Sequence, residues 1–308
     1  MNAAIAMLTP RQDSLKEVSR ARPLLGTLVE ISAASQHEEC SLAAIAQAFS
    51  AVENVHRLMS YHDAHSDVSH INREAYDREI EVDAHTWRVL RAARLMSEAS
   101  HGAFDITVAT QLSRLGFLPA HEYRPTSSAY GTWLDISLTA PNRVRLLGNV
   151  QIDLSGIAKG YAVDLAIEAL KAAGIHAGRV NAGGDMRIFG TAPQCIQVRN
   201  PAMHTQAVPL LHMQEGAAAT SAGYYSEQVH EGRKVLPIIQ PHSGMACDSG
   251  RSVTVIARDC MTADALTKVV YANPRSALPV LNTYKARALI VEHDAASNTC
   301  QIFDSMKA

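Results

Sequence analysis

Apolar residues recur every three or four positions in several long segments of the chain, and this spacing predicts amphipathic helices. One helix is predicted after the apolar run near residue 152, and Gly174 is placed to end it, because glycine tolerates the left-handed backbone of many helix ends. Gly102 is predicted to end another helix in the same way. The other predicted helices cover residues 41–59, 85–100 and 262–272.

Short runs of alternating or β-branched apolar residues, bounded by turn-forming residues, predict strands between these helices. Strands and helices interleave without a strict repeat, so the pattern predicts an α+β fold in which helices pack on mixed sheets. We expect residues 1–20 to form a flexible leader and residues 21–308 to form a single domain. The predicted strands are LVEIS (28–32), LDISL (134–138), RVRLL (143–147), IQVRN (196–200), VLPIIQP (235–241), SVTVIA (252–257) and ALIVEH (288–293).

Composition narrows the possible function classes. The 308 residues include 28 basic and 30 acidic side chains, and the net charge of −2 argues against binding nucleic acid through overall charge. The five cysteines are odd in number and widely spaced, which is typical of unpaired thiols in a reducing compartment. No apolar run reaches the roughly 20 residues that span a bilayer. We therefore expect a cytoplasmic protein that does not insert into membranes.

The segment around Gly156 and Gly160 joins a strand-like run to a predicted helix, with Lys159 between the two glycines. Its spacing fits neither the Gly-x-Gly-x-x-Gly dinucleotide motif nor the P-loop, so a tight turn with a surface lysine stays open. A lysine gains nothing from the positive end of a helix, whereas a bound anion would explain its position. In VNAGGD (180–185), adjacent glycines would let the backbone approach a flat or phosphorylated ligand. These features predict an anionic ligand without naming it.

The segment DLSGIAKGYAVD (153–164), followed by NAGGD (181–185), resembles a signature of the ApbE family, the FAD:protein FMN transferases. Four other segments resemble family segments in the same chain order, and the matches cover most of residues 22–273. Any one of them is weak evidence, whereas five in the right order are strong. The four are LLGTLVEI (24–31), MSYHDAHSDVSHIN (59–72), GAFDITVATQLSRLGF (102–117) and SVTVIARDCMTADALTKVV (252–270).

The resemblance implies a T-fold-like, flavin-binding architecture and an enzyme that uses FAD and Mg²⁺. Such enzymes transfer the FMN half of FAD to a serine or threonine hydroxyl of an acceptor protein and release AMP. The implied partners are therefore a flavin nucleotide and an acceptor protein with an exposed Ser or Thr. The candidate flavin-nucleotide contacts are Leu25, Tyr61, Ala103, Phe104, Asp105, Asp153, Lys159, Gly183, Gly184, Asp185 and Ile239.

Ordinary structural roles stay open for several of these residues. Tyr61 and Phe104 can pack in the core instead of against a ring of the ligand. Asp105 can cap a helix instead of accepting hydrogen bonds from adenine or ribose. The turn at Gly183 and Gly184 can be a simple β-turn that binds nothing.

The resemblance also implies a metal site, formed at the position of Gly156, by an Asp on the last predicted helix and by a Thr four residues further on. The Asp is Asp264, but Lys268 stands at the Thr position. Thr267 comes one residue early, about 100° around the helix, and would point elsewhere. A lysine only donates hydrogen bonds and cannot ligate Mg²⁺. We hypothesise that the ammonium group of Lys268 replaces the metal, by pairing with Asp264 or by reaching the pyrophosphate.

The transfer segment, PIIQPHSG at residues 237–244, departs from the family's His-Ile-Ile-Asp-Pro-Arg-Thr-Gly, whose histidine is important for transfer. Pro237 replaces that histidine and Gln240 replaces the aspartate, and neither side chain is a useful base. His242 replaces the arginine and is the candidate catalytic base, since an imidazole titrates near neutral pH. A loop histidine without a chemical role is the alternative.

Three functions are compatible with this sequence. The predicted function is transfer of FMN from FAD to an acceptor protein. The second is a flavin-nucleotide-binding protein of the same fold that has lost transfer. The third is an enzyme that uses another phosphorylated cofactor on the same scaffold. The losses at Pro237 and Gln240 favour the second or the third. The residues whose retention favours a protein that still holds a dinucleotide are Asp105, Asp153, Lys159 and Asp264.

Overall fold

The computed structural model describes residues 15–120, 131–190, 193–199, 207–222, 227–230, 232–248, 251–294 and 299–305. In chain order its strands are β1 (Lys16–Leu24), β2 (Thr27–Ser35), β3 (Ile80–Glu81), β4 (Ile136–Thr139), β5 (Arg143–Leu146), β6 (Ala177–Ala182), β7 (Asp185–Phe189), β8 (Gln194–Arg199), β9 (Ala207–Met213), β10 (Gly216–Ala222), β11 (Gln228–His230), β12 (Arg233–Gln240), β13 (Met245–Asp248), β14 (Arg251–Ala257), β15 (Arg287–Asp294) and β16 (Thr299–Asp304). Its α-helices are α1 (Glu38–Met59), α2 (Asp67–Glu74), α3 (Ala84–Ala99), α4 (Ala109–Arg114), α5 (Ala158–Ala172), α6 (Cys260–Ala272) and α7 (Leu278–Thr283).

Eight strands form the largest sheet in the described ranges, in the order β1-β2-β6-β7-β10-β14-β15-β16. Every neighbouring pair in this sheet is antiparallel. Smaller sheets join β3-β5-β4, β11-β12-β13 and β8-β9. The predicted α+β fold with packed helices is therefore confirmed, and its largest sheet is antiparallel throughout.

Three helices cover one face of the large sheet and form the main core. α1 packs against β2, α5 against β6, and α6 against β10 and β14, with α5 in contact with both of the others. Successive side chains of a strand point to opposite faces. Accordingly, Phe189 of β7 lies in the main core, while its neighbour Ile188 lies in a small second core with Ile196 of β8 and Met213 of β9. No helix within the described ranges is both long and apolar enough to cross a bilayer.

The helices predicted from apolar periodicity are confirmed, although their starts or ends differ by one to three residues. Gly102 and Gly174 follow α3 and α5 with φ values of 79° and 78°, the left-handed conformation expected of a residue that ends a helix. The sequence did not predict α2, α4 or α7, because helices of eight, six and six residues contain too few turns for a periodic pattern. The strand predicted at 134–138 starts only at Ile136, since Trp133–Asp135 forms a 3-10 turn.

Strand β1 begins at Lys16, inside the segment predicted to be a flexible leader, so that prediction is wrong for residues 16–20. The strand pairs with β2 along its whole length, from Lys16 opposite Ser35 to Leu24 opposite Thr27. Val18 is its one buried residue, so the sequence lacks the alternation that reveals a half-buried strand. Backbone hydrogen bonds to β2 hold this edge strand instead. Residues 1–14 of the predicted leader lie outside the described residues.

Candidate active site

A cleft of about 790 Å³ lies beside the beginning of α5, where several connections of the fold meet. Its walls come from the β1–β2 turn, the loop after α3, the turn before α5, the β6–β7 turn, the end of β10, strand β12 and one side chain of α6. Segments from four distant parts of the sequence that carry the family resemblance thus converge on one space. The segment at 59–72 does not line it.

Most of the predicted site residues line this cleft, and four do not. The four outside the lining are Tyr61, Asp185, Asp264 and His242. Sequence reasoning missed Ser155, although it lies inside the signature segment, and Leu236, which directly precedes the transfer segment. It also missed Thr220 and Ser221, whose strand β10 carries no charged motif. The predicted residues that line the cleft are Leu25, Ala103, Phe104, Asp105, Asp153, Gly156, Lys159, Gly183, Gly184, Ile239 and Lys268.

Tyr61 is a core residue, and the structure does not bring its ring to the cleft. Its side chain is buried, with 3% of the residue exposed, and its hydroxyl donates a hydrogen bond to Oε1 of Gln151 at 3.2 Å. The prediction that Tyr61 packs on the ligand gains no support from this arrangement, because the ring belongs to the main core. Phe104 is equally buried but does form part of the cleft wall.

Asp105 joins two loops at the cleft. Its Oδ1 accepts hydrogen bonds from the N–H and the hydroxyl of Thr107, both at 2.8 Å, and its Oδ2 accepts one from the N–H of Trp133 at 3.0 Å. Burial raises the pKa of Asp105, and these hydrogen bonds oppose the shift. Asp105 is not a helix cap, because Val108 occupies the N-cap position of α4.

Asp153 is held at the entrance to α5 by its own turn and by two neighbouring segments. Its carboxylate accepts hydrogen bonds from the N–H of Ser155, at 3.1 Å, and from the Ser155 hydroxyl. Burial raises the pKa of Asp153, against these bonds. The Asn72 side chain bonds both the N–H and the carbonyl of Ile152, at 2.7 and 2.9 Å, and the Asp153 N–H donates to the carbonyl of Ile106 at 2.8 Å. The segment at 59–72 therefore supports the site from behind.

The β6–β7 turn requires glycine where it meets the cleft. Gly183 and Gly184 have φ values of 64° and 106°, a region that L side chains rarely adopt. A Cβ on Gly183 would overlap the side chain of Thr27, and the Gly184 N–H donates to Oδ1 of Asn181 at 3.0 Å. The glycine pair thus forms a tight β-turn whose backbone is part of the cleft wall.

Four charged residues at the base of the cleft, Lys159, Asp185, Asp264 and Lys268, form what we call the charge cluster. Lys159 forms an ion pair with Asp185, and its Nζ lies 3.7 Å from Oδ2 of Asp264. Lys268 forms an ion pair with Oδ1 of Asp264 and donates to the Asp264 carbonyl oxygen at 3.1 Å. Both carboxylates are buried, whereas the side chains of Lys159 and Lys268 are 31% and 22% exposed. The lysine side chains, and not the carboxylates, therefore border the cleft.

These neighbours shift the pKa values inside the charge cluster. Burial alone would raise the pKa of Asp264, but the charges of Lys159 and Lys268 and a hydrogen bond from Lys268 hold it below its usual value. Burial opposes the charge of Lys159, yet Asp185 and Asp264 together raise its pKa. Burial and repulsion from Asp264 raise the pKa of Asp185, against the attraction of Lys159. Lys159 and Asp264 are consequently both charged at neutral pH.

Helices α5 and α6 cross in direct contact behind the charge cluster. A Cβ on Gly160 would overlap the carbonyl of Cys260 and come within 2.8 Å of the Cα of Met261. The Gly160 N–H donates to Oδ2 of Asp264 at 3.1 Å. One turn further along α5, Asp164 accepts hydrogen bonds from the N–H groups of Cys260 and Met261, at 2.9 and 2.8 Å. This contact fixes where α6 presents Asp264.

The groups at the implied metal site do not fit a divalent cation as they are arranged. The Asp264 oxygens that would ligate it are engaged by Lys268 and by the N–H of Gly160. The Thr267 hydroxyl donates to the Asp264 carbonyl oxygen at 2.7 Å and contacts Ser221, so it points away from the carboxylate, as its helical position predicts. No cluster of three or more His, Cys, Asp or Glu side chains suited to a metal occurs among the described residues.

The transfer segment places little acid–base chemistry in the cleft. Pro237 and Ile239 line it, but none of the lining residues in the described part of the chain is a histidine. The Gln240 side chain accepts a hydrogen bond from the Ser243 hydroxyl at 3.3 Å. His242 is exposed in the β12–β13 turn, with its Cε1 3.8 Å from the position that a Cβ on Gly102 would occupy. The candidate base therefore lies next to the loop after α3, outside the cleft lining.

The fold and the cleft together define an α+β protein with a glycine-lined, lysine-bordered candidate ligand site. The sequence model of the ApbE family matches residues 25–290, and the chain belongs to the ApbE family. This confirms the family predicted from the ordered motifs.

Similar proteins agree with this assignment. The chain is 27% identical over 281 residues to an FAD:protein FMN transferase of Vibrio cholerae, covering 86% of this chain and 84% of that protein. It is 27% identical over 236 residues to an FAD:protein FMN transferase of Haemophilus influenzae, covering 70% and 68%. A crystal structure of the ApbE protein from Thermotoga maritima superposes with a TM-score of 0.83 at 28% identity, covering 95% of this chain and 98% of that one.

Proposed function

We propose that the protein binds FAD in this cleft and transfers the FMN moiety to a serine or threonine hydroxyl of an acceptor protein, with release of AMP. The observation that carries the proposal is the convergence of distant family segments on one cleft with two ammonium groups at its base. Its volume of about 790 Å³ is within the range of pockets that bind cofactors. The names of the similar proteins from V. cholerae and H. influenzae support the same reaction.

The base of the cleft suits a pyrophosphate. The positive end of the α5 dipole, the ammonium of Lys159 in the first turn and the ammonium of Lys268 all act on the same region. In the proposed reaction the acceptor oxygen forms a bond to the FMN phosphorus, the bond from that phosphorus to the bridging oxygen breaks, and AMP leaves with that oxygen. The proton of the acceptor hydroxyl passes to a base. The lysines would stabilise negative charge on the phosphates and on the leaving AMP.

The walls suit the two ring systems of a flavin dinucleotide. Leu25, Phe104 and Ile239 supply apolar surface for planar rings. The backbone at Gly183 and Gly184 carries no side chain that would hold a flat ligand away. We propose that these residues, with Ala103 and the carboxylates of Asp105 and Asp153, form the flavin-nucleotide contacts.

The test is a titration with FAD, followed by flavin fluorescence, together with chromatography for AMP and mass spectrometry of a candidate acceptor for added FMN. Lys159→Gln should weaken FAD binding by about 10- to 100-fold, because a charge-assisted contact contributes about 1.5–3 kcal/mol. Lys171→Gln is the matched control, since Lys171 lies on the same helix but pairs with the exposed Glu215. Equal affinities for both variants would contradict the proposal.

A second candidate function, binding of a flavin nucleotide without transfer, is favoured by the absence of histidine from the described cleft lining and by Pro237 within it. The same experiment separates the two functions. Saturable FAD binding with no AMP release and no modified acceptor would identify a binding protein.

We also propose a cytoplasmic location for this function. Cys40, Cys195 and Cys260 are free thiols, which suits a reducing compartment. Cell fractionation with an antibody to the chain tests the location directly.

A further inference from the structure

Lys268 binds the oxygen atoms of α6 that a metal cation would need as ligands. Its Nζ contacts two oxygens of one residue, the side-chain Oδ1 and the backbone carbonyl of Asp264. Asp264 is fully buried, so its charge must be compensated from within the protein. The ammonium therefore neutralises this carboxylate permanently, without any group taken from solution.

The side chain of Lys268 also reaches across the base of the cleft. Its Cε lies 3.5 Å from the position that a Cβ on Gly156 would occupy, in the turn before α5. Both Gly156 and Lys268 line the cleft, and Lys159 approaches the opposite oxygen of Asp264. The two ammonium groups thus flank one carboxylate at the place where the pyrophosphate is proposed to lie.

A divalent ion cannot enter this place without expelling Lys268. It would need the same Asp264 oxygens, and it would meet two ammonium groups close by in a partly buried site. Like charges this close together repel strongly in a partly buried site, where water and salt screen them less than at the surface. Oxygen ligands and near-octahedral geometry are what Mg²⁺ demands, and an ammonium offers neither.

We propose that Lys268 is the resident cation of this site, so that the protein holds its anionic ligand independently of divalent metal. A corollary is that an oxygen-bearing side chain at position 268 opens a metal site which the natural chain lacks. Residues 264 and 268 lie one turn apart on the same face of α6, so a Thr hydroxyl at 268 would lie beside the freed Asp264 carboxylate. The inference rests on the proposed function only for the identity of the ligand.

The first experiment uses no flavin. Mn²⁺ serves as the probe because it binds the same oxygen ligands as Mg²⁺. The full-length protein is titrated with Mn²⁺, and electron paramagnetic resonance measures how much of the ion is bound. We expect no saturable site in the wild-type protein and about one Mn²⁺ per chain for Lys268→Thr. Lys268→Val is the matched control, because valine has the shape of threonine without its oxygen, and it should gain no site. Lys268→Ser serves as a second oxygen-bearing variant if Lys268→Thr does not fold.

The inference is overturned by saturable Mn²⁺ binding to the wild-type protein, or by the failure of both oxygen-bearing variants to gain a site. The second experiment measures the Kd for FAD in EDTA and in excess Mg²⁺. We expect the wild-type Kd to change by less than about twofold, which is under 0.5 kcal/mol. Wild-type binding that depends strongly on Mg²⁺ would also overturn the inference. If FAD does not bind at all, the proposed function fails, while the Mn²⁺ titration still decides the role of Lys268.

Discussion

The two sides of the cleft differ in how their polar groups are held. On the side formed by α5 and α6, the Asp264 carboxylate is buried and engaged by Lys159, Lys268 and the N–H of Gly160. On the side of the transfer segment, His242 is exposed in a turn and Pro237 presents no side-chain donor or acceptor. The groups that we propose bind an anion are also part of the packing between two helices, whereas the exposed Pro237 and His242 can change at little cost to the fold.

The largest effect should come from removing the buried charge on the α5–α6 side. Asp264→Asn leaves Lys159 and Lys268 without their shared partner and should lower the free energy of unfolding by about 3–5 kcal/mol. Urea denaturation measures this change. The control is Glu215→Gln, which breaks an exposed ion pair with Lys171 and should cost less than about 1 kcal/mol. If both variants lose a similar free energy of unfolding, burial of the charge cluster does not determine how much its ion pairs contribute to stability.

The pH dependence of this loss has a definite sign. The pKa of Asp264 is held below the usual value of about 3.9 in the folded state, so its stabilisation is fully present above about pH 4. It is lost as the pH falls through the folded-state pKa. The stability gap between wild type and Asp264→Asn should therefore narrow as the pH falls below about 4. A gap that stays constant as the protein is acidified below about pH 4 would contradict the ionised state assigned to Asp264.

The next effect tests the contact between the two helices. Gly160→Ala should lower the free energy of unfolding by about 3 kcal/mol, because the added Cβ meets backbone atoms of Cys260 and Met261 that cannot rotate away. Gly156→Ala is the control, since the nearest atom to its Cβ would be 3.5 Å away. It should change the stability by less than about 1 kcal/mol. Thermal or urea unfolding of both variants checks the difference, and equal stabilities would contradict the close crossing of α5 and α6.

A substitution in the transfer segment should have a smaller effect. It should change the rate of AMP release and leave the free energy of unfolding unchanged. Pro237→His places an imidazole in the cleft lining and should raise AMP release from FAD in the presence of acceptor by about 100-fold, the bottom of the range for general acid–base catalysis. The Kd for FAD should change by less than about twofold. Met245→His adds an imidazole to the same hairpin at an exposed position outside the cleft and should have no effect. A rate that stays at the wild-type level would show that another missing group limits transfer.

Sequence reasoning reached the fold class, the long helices and part of the cleft lining because those features are local or ordered along the chain. Periodic apolar residues reveal α1, α3 and α6, and ordered motifs indicate which loops meet. It missed β1, whose hydrogen bonds to β2 leave almost no mark on side-chain pattern. It also did not predict the hydrogen bonds between the Asn72 side chain and the Ile152 backbone. The two residues are 80 positions apart in the sequence, and Asn72 supports the site without lining it.

The smallest predicted effect comes from substituting Tyr61. This substitution tests whether the residue supports the site from the core or contacts the ligand. Tyr61→Phe removes the hydroxyl that donates to Gln151 and leaves a buried acceptor without this bond, so the free energy of unfolding should fall by about 1 kcal/mol. The Kd for FAD should change by less than about twofold, since the ring lies outside the cleft lining. Phe104→Leu is the comparison, because it shortens an aromatic side chain within the lining and should weaken FAD binding by about fivefold or more. If Tyr61→Phe loses more affinity for FAD than Phe104→Leu does, Tyr61 contacts the ligand. That result would contradict our conclusion that the segment at 59–72 supports the site without contacting the ligand.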